Sequence, residues 1–256
     1  MPLPFLRRAV PAALAAGLLL GFAAVPASAL DDTQRKEFEG VIRDYLLKNP
    51  EVIQEAIMEL QKRQAEAEAG QRQQALTQLK PLIFDSPRGA VVGNPKGDVT
   101  IVEFFDYNCG YCKRALADMV ELTKNDPNLK VILKEFPVLG PGSVEAAQVA
   151  VGVRIVAPEK YYDFHKQLLS ERGQANKAKA LAVAKEVGVD TAALEKALAD
   201  PEVNATLQES LQIAEALGID GTPSYITGES VIVGAVGHDQ LKSAVDSVRK
   251  CGKAQC

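Results

Sequence analysis

After residue 30 the hydrophobic pattern is first helical and then alternating. Between residues 31 and 60 the apolar positions Phe38, Val41, Ile42, Tyr45 and Leu46, then Val52, Ile53, Ala56, Ile57 and Leu60, recur at helical spacing around a break at Asn49-Pro50. Two helices are expected, with Pro50 in the first position of the second and Asn49 as its cap. From 61 to 74 the chain is polar nearly all round and holds Gly70, so a helix there has little to bury and reads as a solvated linker. Residues 30–80 therefore predict a helical arm. Its apolar stripe must pack on something, either the chain's own globular part or a second copy. The polar linker between stripe and domain favours a homo-oligomer, dimer or trimer, formed through residues 31–80.

Residues 81–250 read as a single α/β domain. A strand pattern at Leu82-Ile83-Phe84 is followed by the turn-rich stretch Gly93-Asn94-Pro95-Lys96-Gly97-Asp98 and a buried strand, Val99–Phe105. A helix over about 109–124 and a strand over 130–136 complete a βαβ unit, whose parallel strands place chemistry at the carboxyl end of the first strand. Residues 142–217 predict a block of helices broken at Pro158, Gly173, Gly188 and Asp200-Pro201. Two short strands, 224–227 and 231–235, are joined by Gly228-Glu229 as a hairpin, and a helix over 238–250 precedes a tail at 251–256.

Ahead of the arm, Arg7-Arg8 precede an apolar run over 9–25 that closes on Ala27-Ser28-Ala29, the form of a cleaved secretory signal over residues 1–29. Pro11 and Pro26 lie in or beside that run and no stop-transfer pattern follows, which argues against a membrane span. Residues 1–29 hold two arginines and no acid, so their removal takes the formal net charge from −4 to −6. A mildly acidic chain with no Trp and no basic patch is not drawn to nucleic acid phosphates. Nothing after the signal is long and apolar enough to cross a bilayer. Export, expected to end in the periplasm, puts the four cysteines where disulfides persist.

Cys109-Gly110-Tyr111-Cys112 falls where the buried strand gives way to a helix, so backbone N–H groups and the positive end of the helix dipole favour thiolate at Cys109. In C-x-x-C motifs so placed the thiol pKa falls from about 8.5 to between roughly 3.5 and 7.5. Cys112, one helical turn on and deeper, can attack a mixed disulfide formed at Cys109 and release the partner. Sulfur-for-sulfur exchange needs no organic cofactor. Half a zinc site is the weaker reading, because the remaining ligand types, His165, His238, Cys251 and Cys256, are distant in sequence. A purely structural bridge is disfavoured at a helix start, whereas a copper-binding thiol protein with incidental redox activity stays open, since thiolates suit Cu(I).

The run Glu103-Phe104-Phe105-Asp106-Tyr107-Asn108-Cys109-Gly110-Tyr111-Cys112-Lys113, with Gly221-Thr222-Pro223-Ser224 far downstream, resembles the DsbA family of exported disulfide oxidoreductases. The arm, with Tyr45-Leu46-Leu47-Lys48-Asn49-Pro50-Glu51, resembles the suppressor-of-copper-sensitivity C branch, whose members can oligomerise through an N-terminal arm and act as disulfide isomerases. The resemblance implies a thioredoxin-like fold with an inserted helical domain, preceded by the arm. It implies Cys109 as nucleophile, Cys112 as resolving thiol, Gly110 and Tyr111 as the dipeptide that tunes them, and Thr222-Pro223 as a cis peptide whose backbone pairs with an extended substrate. Exported proteins with cysteines and a membrane redox partner are the implied partners. Glu103 takes the family's buried acidic position, where a raised pKa suits proton exchange with the resolving thiol; alternation alone leaves it free to face water. Without the resemblance, Gly221-Thr222-Pro223 is an ordinary turn. Oxidase and isomerase directions both remain open.

His165, among Tyr161-Tyr162-Asp163-Phe164, reads as a packing residue, and His238 as the start of the last helix. Cys251 and Cys256 are spaced for a small loop bridge that ties down the terminus, with a second redox couple or copper ligand pair as the alternative.

Overall fold

A computed structural model describes residues 31–256; the signal expected over 1–29 lies outside the described residues. The chain divides into two compact units, with the division between Gln61 and Lys62. Helix α1, Asp32–Lys48, opens on a capping box in which Asp31 and Gln34 bond each other's backbone. Asn49 does not cap the second helix. Its side-chain amide donates to the Tyr45 carbonyl at 2.9 Å, so it closes α1, and helix α2, Glu51–Phe84, starts one residue after Pro50. Within the first unit Phe38, Val41, Ile42, Tyr45, Ile53, Ile57 and Leu60 are all exposed in the single chain.

In the second unit the expected strand at Leu82-Ile83-Phe84 is instead the last turn of α2. Leu76, Leu79 and Ile83 continue one helical face and bury against the sheet, a longer periodicity than a three-residue apolar run can reveal. Lysines of the neighbouring strand seal the helix end: Lys134 Nζ donates to the Leu82 carbonyl at 3.0 Å and Lys130 Nζ to the Phe84 carbonyl at 3.4 Å. The first strand is β1, Ala90–Gly93, followed by β2, Val99–Phe105.

Next come α3 (Gly110–Asn125), β3 (Leu129–Glu135), α4 (Pro141–Val156), a 3₁₀ turn (Pro158–Lys160), α5 (Tyr161–Ser170), α6 (Lys177–Glu186), α7 (Thr191–Ala197) and α8 (Pro201–Leu217). β4 (Ser224–Thr227), β5 (Ser230–Val233) and α9 (His238–Cys251) complete the domain. Side chains start several of these helices, Asn176 for α6, Asp190 for α7 and Asp200 before Pro201 for α8, while Gly218 ends α8 in the left-handed conformation. The sheet order is β1-β3-β2-β4-β5, with β2 and β3 parallel and the other pairs antiparallel.

The two-residue period of β2 and β3 sorts the interior. Val99, Ile101 and Phe105, with Leu129, Val131 and Leu133, enter the cluster that holds Met119 and Leu122 of α3, Leu241 of α9 and the inserted helices. Val102, Phe104, Ile132 and Phe136 meet α2 and α8 on the opposite face. By that alternation Glu103 and Glu135 belong to the α3 face and Lys134 to the α8 face. Lys134, fully buried, is neutralised there by Glu209 at 2.6 Å.

Candidate active site

Strand β2 ends at Phe105 and the chain turns through Asp106-Tyr107-Asn108 before α3 begins. Asp106 holds the turn: its buried carboxylate accepts from the Asn108 amide at 2.7 Å and from the Val138 and Leu139 amides at 2.8 and 2.9 Å. Asn108 ties it to the helical insertion. Its side-chain nitrogen donates to Ser143 Oγ at 2.9 Å and the Ala175 carbonyl at 3.0 Å, and its oxygen accepts the Ala175 amide at 2.6 Å. Neither role is legible in sequence, because the partners lie thirty and more residues downstream; the one local signal that could have marked this turn is the Asp-x-Asn spacing, whose first side chain can cap the amide two residues on.

Cys109 is the N-cap of α3, with extended backbone, and its Sγ accepts the Cys112 amide at 3.4 Å. The same sulfur donates to the Thr222 carbonyl at 3.1 Å, and the Thr222-Pro223 bond is cis. Thus residues 113 positions apart meet at one sulfur. Both Cys109 and Cys112 are free thiols, 6% and 1% exposed. Burial pushes the Cys112 thiol far above its ordinary range, against weaker opposing hydrogen bonds from the Asp106 backbone and the Thr222 side chain. Gly110 opens the first turn of α3 and no atom crowds it. Tyr111 is exposed and its ring lies under the Arg114 guanidinium at 4.2 Å.

Glu103 faces the interior, 4% exposed, opposite Tyr225 in the sheet register. Burial alone raises its pKa to about 8. At pH 7 that leaves roughly ten neutral carboxyls for each ionised one. Its charge is felt by Cys112 and by Tyr225, whose buried hydroxyl has no hydrogen-bond partner among the described residues. The structure therefore gathers Glu103, Cys109, Cys112 and Thr222-Pro223 around one turn. It places Cys251 and Cys256 elsewhere, bonded to each other at the end of α9. His165 is buried among Phe105, Tyr107, Tyr161 and Tyr162, and His238 opens α9.

A parallel β-α-β core with a dithiol at the helix start, a cis-proline loop against it and a helical insertion defines a thioredoxin-like dithiol domain. The chain belongs to the DSBA-like thioredoxin domain family, whose model matches residues 100–246, and its arm matches the copper resistance protein ScsC N-terminal domain over residues 34–67. A thioredoxin-like oxidoreductase from Silicibacter pomeroyi DSS-3 is 43% identical, covering 67% of this chain and 98% of its own, with a TM-score of 0.64. ScsC from Proteus mirabilis, in a compact conformation, is 30% identical over 85% of this chain and 99% of its own, with a TM-score of 0.65. The thiol:disulfide interchange protein DsbA of Bordetella pertussis is 29% identical over 135 residues, which is 52% of this chain and 64% of that protein. The chain spans a quarter of the length of another curated relative, a sodium/proton antiporter from Salinispora arenicola, at 26% identity over 165 residues.

Proposed function

We propose that this chain is an exported thiol-disulfide oxidoreductase that acts on cysteine-containing proteins of the periplasm through Cys109 and Cys112. The observation that carries the reading is the setting of one sulfur: Cys109 Sγ lies 3.4 Å from the Cys112 amide and 3.1 Å from the carbonyl of a cis-proline loop. A substrate strand laid along Thr222 would bring its sulfur to the same place.

The chemistry follows from the two unequal thiols. When the pair is oxidised, a substrate thiolate attacks Cys109 Sγ; the new mixed disulfide forms as the Cys109-Cys112 bond breaks and Cys112 leaves as thiolate. Burial makes that anion costly. Neutral Glu103 gives it a proton and regains one from water. A second substrate thiolate then attacks the substrate sulfur of the mixed disulfide and Cys109 departs. When the pair is reduced, Cys109 thiolate attacks a substrate disulfide instead, forming a mixed disulfide and releasing one substrate thiolate. That thiolate opens a second substrate disulfide, and the thiolate so freed attacks the substrate sulfur bonded to Cys109, which leaves as thiolate with the substrate's disulfides re-paired.

The exposed stripe from Phe38 to Leu60 supports a homo-oligomer in which several such sites serve one substrate. A membrane redox partner would reset the pair. The test is refolding of a scrambled-disulfide protein by the full mature chain. Cys109→Ser is expected to abolish exchange and Cys112→Ala to accumulate covalent partner complexes; undiminished exchange by Cys109→Ser would end the reading.

A further inference from the structure

One buried acid on the α3 face has no part in the steps above. Glu135, the last residue of β3, is paired in register with Phe105 at the end of β2, beside the turn that carries Cys109. It is 4% exposed, and among the described residues no cation forms an ion pair with it. Tyr161 of α5 donates to Glu135 Oε1 at 2.7 Å and Tyr107 of the turn reaches the same oxygen at 3.4 Å, while Oε2 has no partner among the described residues. The Tyr107 hydroxyl lies equally far, 3.4 Å, from Nδ1 of His165. It has one proton, which Glu135 can accept and which His165 Nδ1 can accept when the ring carries its own proton on Nε2.

The geometry points to Glu135 as a positioning residue for the thiol chemistry, acting through Tyr107 on the turn Asp106-Tyr107-Asn108-Cys109. This rests on the reading of Cys109 as the reacting thiol. The groups that act on Glu135 are Asp106 and Tyr107 from the turn, Tyr161 from α5, and Arg154 from α4, whose charge favours the carboxylate from a distance, while His165 of α5 meets Tyr107. Desolvation outweighs the hydrogen bonds from Tyr161 and Tyr107 and the more distant charge of Arg154, and raises Glu135 to about 8, while burial holds His165 at about 3, so His165 is neutral throughout the working range. With Glu135 protonated, Tyr107 can donate to His165 Nδ1, and the carboxyl keeps Tyr161. When Glu135 releases its proton to water, the carboxylate competes for the Tyr107 proton with a charge-assisted hydrogen bond, the stronger kind. Tyr107 cannot turn alone, because it packs edge-on against Phe105 at 5.1 Å and Phe164 at 6.1 Å. Its backbone sits between Asp106 and Asn108, and the Asp106 carbonyl accepts the Cys109 amide at 3.0 Å. A change of partner at Tyr107 is thereby passed to the residue that bears the sulfur.

The test is the rate of Cys109 alkylation against pH in the full chain, read in a Glu103→Gln background so that the other acid near pH 8 no longer titrates. The expected profile departs from a single thiol titration by a step near pH 8 of roughly twofold to tenfold, the worth of one hydrogen bond. Adding Glu135→Gln removes the step. Adding Tyr107→Phe also removes it, although the carboxyl still titrates by infrared absorption. A single-group profile in Glu103→Gln, or a step that survives Tyr107→Phe, overturns the proposal; should Glu135→Gln fail to fold, Tyr107→Phe decides. Alkylation needs no protein substrate, so the result stands apart from whether Cys109→Ser retains disulfide exchange.

Discussion

A carboxyl group sealed in the interior with no cation beside it among the described residues lowers its cost by keeping its proton, and Glu103 does so up to about pH 8. The sign of the resulting pH dependence follows from linkage. Between the ordinary value of 4.5 and about 8 the folded chain holds a proton that the unfolded chain releases, so stability falls as pH rises through that window and levels off above it. Glu135 adds a slope of the same sign. Glu103→Gln removes one of the two contributions. Its melting temperature should match the parent at pH 4.5 and exceed it at pH 9, by roughly 2–4 °C for each kcal/mol recovered. Melting curves at the two pH values check this, and an equal difference at both would show that Glu103 carries no buried charge cost. The same substitution should slow opening of the oxidised Cys109-Cys112 pair by a substrate thiolate, because the leaving Cys112 thiolate loses its proton donor. Stopped-flow mixing with a dithiol substrate would measure that loss at pH 7. Sequence named Glu103 but left its orientation open, since an alternating strand and a strand buried on both faces differ only in what covers them.

At the scale of elements, the βαβ unit and the terminal hairpin and helix were legible because each has a long or strongly patterned run. The three residues Leu82-Ile83-Phe84 were not, and β1 escaped notice between turn residues, for short apolar runs read alike as helix and strand. The turn between β2 and α3 shows the deeper reason why parts of a site stay hidden. Asp106 and Asn108 stand in the quoted motif, yet what they do depends on Val138, Leu139, Ser143 and Ala175, which only folding brings near. Asp106→Ala would leave three backbone amides without their acceptor in or beside the core. We expect a loss of about 3–5 kcal/mol, read as a lower urea midpoint with an unchanged slope, together with slower exchange because Cys109 is no longer held against Thr222. If activity fell with no change in midpoint, the carboxylate would be acting on the chemistry and not on the turn.

For the whole molecule, the open question raised by sequence was what covers the stripe on the arm. In the single chain Val41, Ile42, Ile53 and Ile57 remain exposed, which leaves the self-association expected from the polar linker as the proposal. Ile42→Glu with Ile57→Glu should convert the mature chain to a monomer by sedimentation and weaken isomerisation of scrambled substrates while sparing alkylation of Cys109. An unchanged mass would remove the arm from assembly.

Helix α2 bears on how this molecule can be trimmed or grafted. Arg72 Nε donates to the Leu217 carbonyl at 3.0 Å, Leu76 and Ile83 are walls of the α8-side core, and Lys134 spends one of its hydrogen bonds on the Leu82 carbonyl. A chain begun at residue 81 would keep Leu82 and Ile83 without the helical turns that hold them, and the buried ammonium beneath would lose its cover. A chain begun at residue 62 keeps all of these contacts. Swapping arms between relatives should therefore join the pieces ahead of Arg72, where the helix is still solvated, since everything after it is already the domain's own masonry.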